Sequence, residues 1–179
     1  NYDGTWFEIK RIMKLIPISK PYIGGYEKEY SYKAIKSTWI SSRGIYINKF
    51  EKSFSTFNKT KYSVSVCNGS VALILALKTL NISYGDEVIV PNITFAATIN
   101  SVINVGAKPV IIDINSSNWT IDYNQIKKKI SKKTKAVIVV HTYGCVADIS
   151  KIKKIINEKK IKIIEDCAEA HGAKYKSMN

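Results

Sequence analysis

Three short stretches of the sequence carry residue types that could do chemistry together. The first is Cys67-Asn68-Gly69-Ser70, just ahead of the apolar run 71–80. A tight turn feeding a helix start offers free backbone N–H groups and the positive end of the helix dipole, which together attract phosphate. Gly69 lets a ligand come close to the backbone. Ser70 can cap the helix and donate its hydroxyl, and plain capping is the more ordinary duty of such a turn. The turn is not a P-loop, because the GxxxxGK[ST] pattern is absent. The second stretch is Pro91-Asn92-Ile93-Thr94-Phe95. Phe95 could stack on a flat heterocycle; taken alone, a core role is the commoner one for a phenylalanine. The third is Ile161-Lys162-Ile163-Ile164-Glu165-Asp166-Cys167-Ala168-Glu169, which runs from apolar residues straight into two carboxylates. A carboxylate at the end of a buried strand is costly unless it meets a cation. Asp166 therefore asks for a protonated ligand nitrogen, a structural Lys or Arg, or a helix start to cap.

Metal chemistry is a weaker reading. His141 and Cys145 stand four apart, as do Cys167 and His171. Neither pair has the C-x-x-C or H-x-x-x-H form of a zinc site, and cysteine is more often a small buried hydrophobe. No metal site is expected. The three cysteines, odd in number, together with the lack of a visible signal peptide, suit a reducing cytoplasm. The formal charge is +14, from 28 Lys+Arg against 14 Asp+Glu, yet only Arg11 and Arg43 are arginines. Arginine is the better reader of bases and phosphates. The lysines cluster on helical segments, which suggests solvated faces rather than a specific nucleic-acid surface. The positive field still favours an anionic substrate. No apolar stretch approaches a membrane span.

The elements that would position these residues follow from periodicity. Short β-branched runs at 62–66, 87–91, 109–114, 135–140 and 161–166 read as strands, starting 22 to 26 residues apart. Helical spacing lies between them, with Tyr123, Ile126 and Ile130 on one face and Ile149, Ile152, Ile155 and Ile156 on another. The run 71–80 is apolar nearly all round and should be buried on most sides. Alternating strand and helix argues for an α/β fold, a mostly parallel sheet with helices on both faces. Ligands of such sheets bind at the carboxyl ends of the strands, where all three stretches fall. Residues 1–60 differ. They hold a Pro/Gly-rich loop at 17–25, a helix at 26–38 and an amphipathic helix marked by Ile47, Phe50, Phe54 and Phe57. We therefore divide the chain into an arm with helices at 1–60, packed on the core, and a partial α/β domain at 61–179.

Taken in order, these segments resemble the DegT/DnrJ/StrS family of sugar aminotransferases. The resemblance spans residues 16–176 through "IPISKPYIGGYEKE", "STWISSRG", "SVCNGSVALILAL", "YGDEVIVPNITFAATINSV", "GAKPVIIDI", "TKAVIVVHTYG" and "IKIIEDCAEAHGA". It implies an aspartate-aminotransferase-like large domain (fold type I), truncated before its C-terminal part, and the cofactor pyridoxal 5'-phosphate (PLP). By position, Gly69 and Ser70 would cradle the cofactor phosphate and Phe95 would stack on its ring. Asp166 would pair with the ring nitrogen, Ala168 would lie under the opposite face, and Glu169 would hydrogen-bond the ring hydroxyl. A Glu at that position, often Gln in the family, resembles the perosamine-synthase-like branch, which acts on nucleotide-linked 4-keto-6-deoxy sugars. The resemblance further implies glutamate as amino donor, a homodimer with shared sites, and a role in decorating polysaccharides. The family's Schiff-base lysine is expected beyond Asn179, so the chain holds no catalytic residue of its own; Lys174 and Lys176 follow the Asp166 strand too closely. A histidine in place of that lysine would mark a sugar dehydratase of the same family, and a non-catalytic binding fragment is a further alternative.

Overall fold

The computed structural model describes residues 17, 20–157 and 160–175; Lys176 and the chain before Pro17 lie outside them. Backbone contacts divide the chain into two units, Asn1–Lys49 and Phe50–Asn179. In the first unit, helix α1 (Glu27–Lys36) has Glu27 and Glu29 in its first turn and Lys33 and Lys36 in its last. That order complements the helix dipole. A Lys33–Glu29 ion pair one turn apart reinforces it, and the Glu29 carboxylate raises the lysine's pKa. No residue of α1 is buried. Tyr30 touches both Tyr26 and Tyr46, with ring centroids 5.9 Å apart in each case.

Helix α2 (Ile45–Phe57) carries the division between the units. Beyond it the second unit alternates helix and strand: α3 (Gly69–Thr79), β1 (Glu87–Pro91), α4 (Ala96–Asn104), β2 (Lys108–Ile112), α5 (Tyr123–Lys129), β3 (Thr134–Val140), α6 (Ile149–Ile156) and β4 (Lys162–Asp166). The four strands form one parallel sheet in the order β2-β1-β3-β4. Side chains alternate across it, as strand geometry demands. Val88, Val90, Ala136, Ile138 and Val140 face one core with Leu73 and Leu77 of α3 and Val102 of α4. Ile89, Val137 and Val139 face another with Ile126 of α5 and Ile149, Ile152 and Ile156 of α6. Each buried Val or Ile removes enough apolar surface to contribute about 1.5–3 kcal/mol.

The order reverses direction at β1, because β2 lies on one side of it and β3 on the other. Such a switch point opens a crevice at the strands' carboxyl ends. The registers show how. β1 stays paired with β2 as far as Pro91 opposite Ile112, but with β3 only as far as Ile89 opposite Val137. The Asn92 amide donates to Ile112 O at 2.8 Å, toward β2. Alternation then aims position 91 toward β3, where proline has no N–H to give. β3 and β4 continue together to Val140 opposite Asp166.

Two expectations from the sequence need correction. Residues 62–66 form no strand and pair with none among the described residues. Instead the Ser65 amide and hydroxyl both donate to Glu51 Oε1 at 2.8 Å, and Ser63 Oγ donates to Glu51 O at 2.5 Å. Period-two alternation requires only an extended chain; pairing needs a neighbour, and here α2 takes that place. These Ser65 bonds hold the Glu51 carboxyl below its ordinary pKa. The second correction concerns α3, where only Leu73 and Leu77 are buried, while Val71 and Leu75 are exposed. Residues four apart share one helix face, and among the described residues only that face meets the sheet and α4.

Candidate functional site

The carboxyl ends of β1, β3 and β4 surround a hollow of about 520 Å³. All six residues singled out in the sequence line it: Gly69, Ser70, Phe95, Asp166, Ala168 and Glu169. Each arrives on a different local device. At the start of α3, Asn68 has extended backbone angles and its Oδ1 accepts from the Val71 amide at 3.0 Å. Asn68, rather than Ser70, is therefore the cap. A capping side chain must sit just before the first helical residue, and that residue is Gly69. The Ser70 hydroxyl, inside the first turn, makes no hydrogen bond among the described residues. Gly69 has ordinary backbone angles, and a Cβ built on it would meet no protein atom within 4 Å. Neither conformation nor packing demands glycine there. What its missing side chain leaves is open room over a helix N-terminus.

Phe95 stands just before α4 and is 79% exposed, so the core role is excluded. Asp166, the last residue of β4, is half-buried. Its Oδ1 accepts from the Ala168 amide at 3.2 Å and its Oδ2 from Thr98 Oγ1 at 3.4 Å. Among the described residues no Lys or Arg forms an ion pair with it. The structural cation weighed in the sequence is thus not there. Glu169 Oε2 accepts from the Tyr143 amide at 2.7 Å, which fixes the carboxylate at the rim.

Residues the sequence reading passed over complete the walls. Thr142 and Tyr143 lie in the short 3-10 turn Thr142–Gly144 after β3, and Thr94 precedes α4. The turn after β3 was findable, since it too lies at a strand's carboxyl end. Thr142 Oγ1 is the one buried side-chain polar atom without a partner among the described residues. Leaving such an atom unsatisfied costs about 1–3 kcal/mol.

No group of three or more His, Cys, Asp or Glu among the described residues could hold a metal ion. His141 is instead committed within the protein, its Nε2 to Glu165 Oε2 at 3.1 Å and its Nδ1 accepting from the Ala147 amide at 3.1 Å. Burial lowers its proton affinity, whereas hydrogen bonds with Cys167 and Glu165 raise it. The Ala147 bond pulls the other way, because only a neutral ring can accept at Nδ1. With Nδ1 so occupied, we assign the proton to Nε2.

Among the described residues, what is unsupplied around this hollow is positive charge for Asp166, a face for Phe95 and a neighbour above Gly69. Those needs fit a flat, cationic, phosphorylated group, and with the parallel sheet they define a large domain of the aspartate-aminotransferase class. The chain belongs to the DegT/DnrJ/EryC1/StrS aminotransferase family, whose model matches residues 21–178. It is 46% identical over 164 residues to the GDP-perosamine synthase of Escherichia coli O157:H7, covering 92% of this chain and 45% of that protein. Among solved structures it matches the aminotransferase from Psychrobacter cryohalolentis with a TM-score of 0.85 at 35% identity, over 91% of this chain and 42% of that one. It also matches the E. coli GDP-4-keto-6-deoxy-D-mannose-3-dehydratase with bound hydrated PLP, with a TM-score of 0.83 at 26% identity, over 91% and 43%. The chain therefore spans less than half the length of these relatives. PLP is the cofactor of this family's aminotransferases, and the residues around the hollow suit it.

Proposed function

We propose that the protein carrying this sequence is a PLP-dependent aminotransferase acting on a nucleotide-linked keto-deoxy sugar, with glutamate as amino donor. The observation that carries the reading is Asp166, a carboxylate at the end of β4 that no Lys or Arg among the described residues pairs with, facing a hollow walled by Phe95 and the start of α3. The 46% identity to a GDP-perosamine synthase supports the substrate class. A homodimer belongs to the same reading.

When bound, the cofactor supplies an electron sink for transamination. The chain's own residues do the rest. The free amides of the first turn of α3, with the Ser70 hydroxyl, bind the phosphate, and Gly69 gives it room. Phe95 and Ala168 hold the ring between them. Asp166 keeps a proton on the ring nitrogen by offering it a negative charge. Glu169, held by the Tyr143 amide, orients the ring hydroxyl. Net positive charge draws the nucleotide diphosphate inward.

The test is turnover of a nucleotide-linked keto sugar with glutamate and PLP. Formation of an amino sugar and the matching keto acid is expected. Asp166→Asn should cut turnover at least about 100-fold, the scale on which removing one charge-stabilising group acts in other enzymes, and leave the folded signal intact. Near-normal turnover in that variant would remove Asp166 from the site. The likeness to a sugar dehydratase favours one second reading, loss of a sugar hydroxyl. A deoxygenated product carrying no nitrogen would establish that reading instead.

A further inference from the structure

We propose that Thr98, backed by Thr94, is a positioning residue: a chain of two hydroxyls aims the Asp166 carboxylate without cancelling its charge. The inference rests on the assignment of Asp166 to the cofactor's ring nitrogen. Thr98 is wholly buried in the first turn of α4, and its own amide donates to Phe95 O at 3.0 Å. One helix start therefore places both the stacking ring and this hydroxyl. Thr98 Oγ1 lies 2.8 Å from Thr94 Oγ1 and 3.4 Å from Asp166 Oδ2. The longer contact is stretched for an O–H···O bond, and bonds in such sites often tighten only around the bound group.

The direction of the chain follows from proton counting. An ionised carboxylate only accepts, and each hydroxyl has one proton to give. Thr98 must therefore point its proton at Asp166, and Thr94 must point its proton at Thr98. The other carboxylate oxygen takes the Ala168 amide. Both oxygens are thus held, which fixes the plane of the carboxylate. A lysine or arginine in the same place would also hold the carboxylate, but would cancel the charge that the ring nitrogen needs. Neutral donors leave the full negative charge available, which explains why the partners here are two threonines and an amide.

The test uses the protein that carries this sequence, with Thr98→Val and Thr98→Ser. Valine keeps the shape and loses the hydroxyl, while serine keeps the hydroxyl. PLP affinity is measured by absorbance titration, ring-nitrogen protonation by NMR of isotope-labelled cofactor, and folding by thermal melting. Thr98→Val should weaken PLP binding about three- to tenfold, the worth of one hydrogen bond. It should also move the ring-nitrogen resonance toward the unprotonated position, as a carboxylate held by one oxygen only turns away from the ring nitrogen. Thr98→Ser should restore both. Wild-type affinity and resonance in Thr98→Val would overturn the proposal, as would a serine variant that behaves like the valine one. If Thr98→Val fails to fold, Thr94→Val carries the same expectation at the outer end of the chain, and an unmoved resonance there overturns it. Failure of the unmutated protein to bind PLP at all would instead strike the assigned function.

Discussion

At the scale of single residues, the site is built as much by what is missing as by what is present. Gly69 lacks a side chain where neither backbone angle nor neighbour asks for that lack. Gly69→Val should therefore leave the melting temperature within a few degrees, because a Cβ there meets no protein atom within 4 Å. PLP or free phosphate should bind at least about tenfold more weakly, since a branched side chain would stand over the helix N-terminus. Unchanged affinity in a titration would move the phosphate elsewhere. Among the described residues Asp166 meets no cation and Phe95 has no cover. The sequence made the residue types legible but not these absences. An aspartate after four apolar-framed positions reads alike whether a lysine meets it or not. Phe95 reads as core until its 79% exposure is known.

At the scale of elements, β1 was legible to the residue, as 87–91, because Gly85-Asp86 and Asn92 punctuate a run of β-branched residues. The other three strands of the sheet were legible to within two residues at each end. The segment 62–66 was misread because alternation reports extension, whereas pairing is settled by distant chain. The cap of α3 was misplaced by two residues because serine and asparagine both cap well and the pattern alone does not fix the first turn. Asn68→Ala should cost α3 about 1 kcal/mol, visible as a lower denaturant midpoint, while Ser70→Ala should change stability far less. A reversed order would return the cap to Ser70. Glu87 opens β1 and accepts from Ser131 Oγ at 2.6 Å and Lys108 Nζ at 3.4 Å. The Ser131 bond, opposed by partial burial and aided by Lys108, holds its carboxyl below the ordinary value. Its contribution to stability is therefore present above the unfolded-state pKa and fades as pH falls through the lower folded one. Glu87→Gln should flatten that part of the acid-unfolding curve and leave the neutral-pH slope unaltered. An unchanged acid limb would show that the bond carries no linkage.

At the scale of the whole molecule, the formal charge is +14, a field that favours anionic ligands. The same charge predicts weak, sequence-blind binding to nucleic acid that falls steeply with salt. Fluorescence anisotropy with two unrelated duplexes should give equal affinities, both lost at moderate salt. A marked preference for one duplex would require a specific surface. None of the helices among the described residues is long and apolar enough to cross a membrane. The alternation of strand and helix made the sheet's class legible from sequence. Its strand order was not, because nothing local records on which side of β1 each crossover lands.

The proline that ends β1 has a kinetic meaning as well as a geometric one. An amide hydrogen at position 91 would invite β1 and β3 to zip one rung further, drawing the two strand tips together like a narrowing throat. Pro91→Val should then slow uptake of PLP in stopped-flow mixing even where the final folded signal is unaltered. The β1–β3 ladder stops at Ile89 opposite Val137, and two residues on, Pro91 has no amide hydrogen with which to extend it.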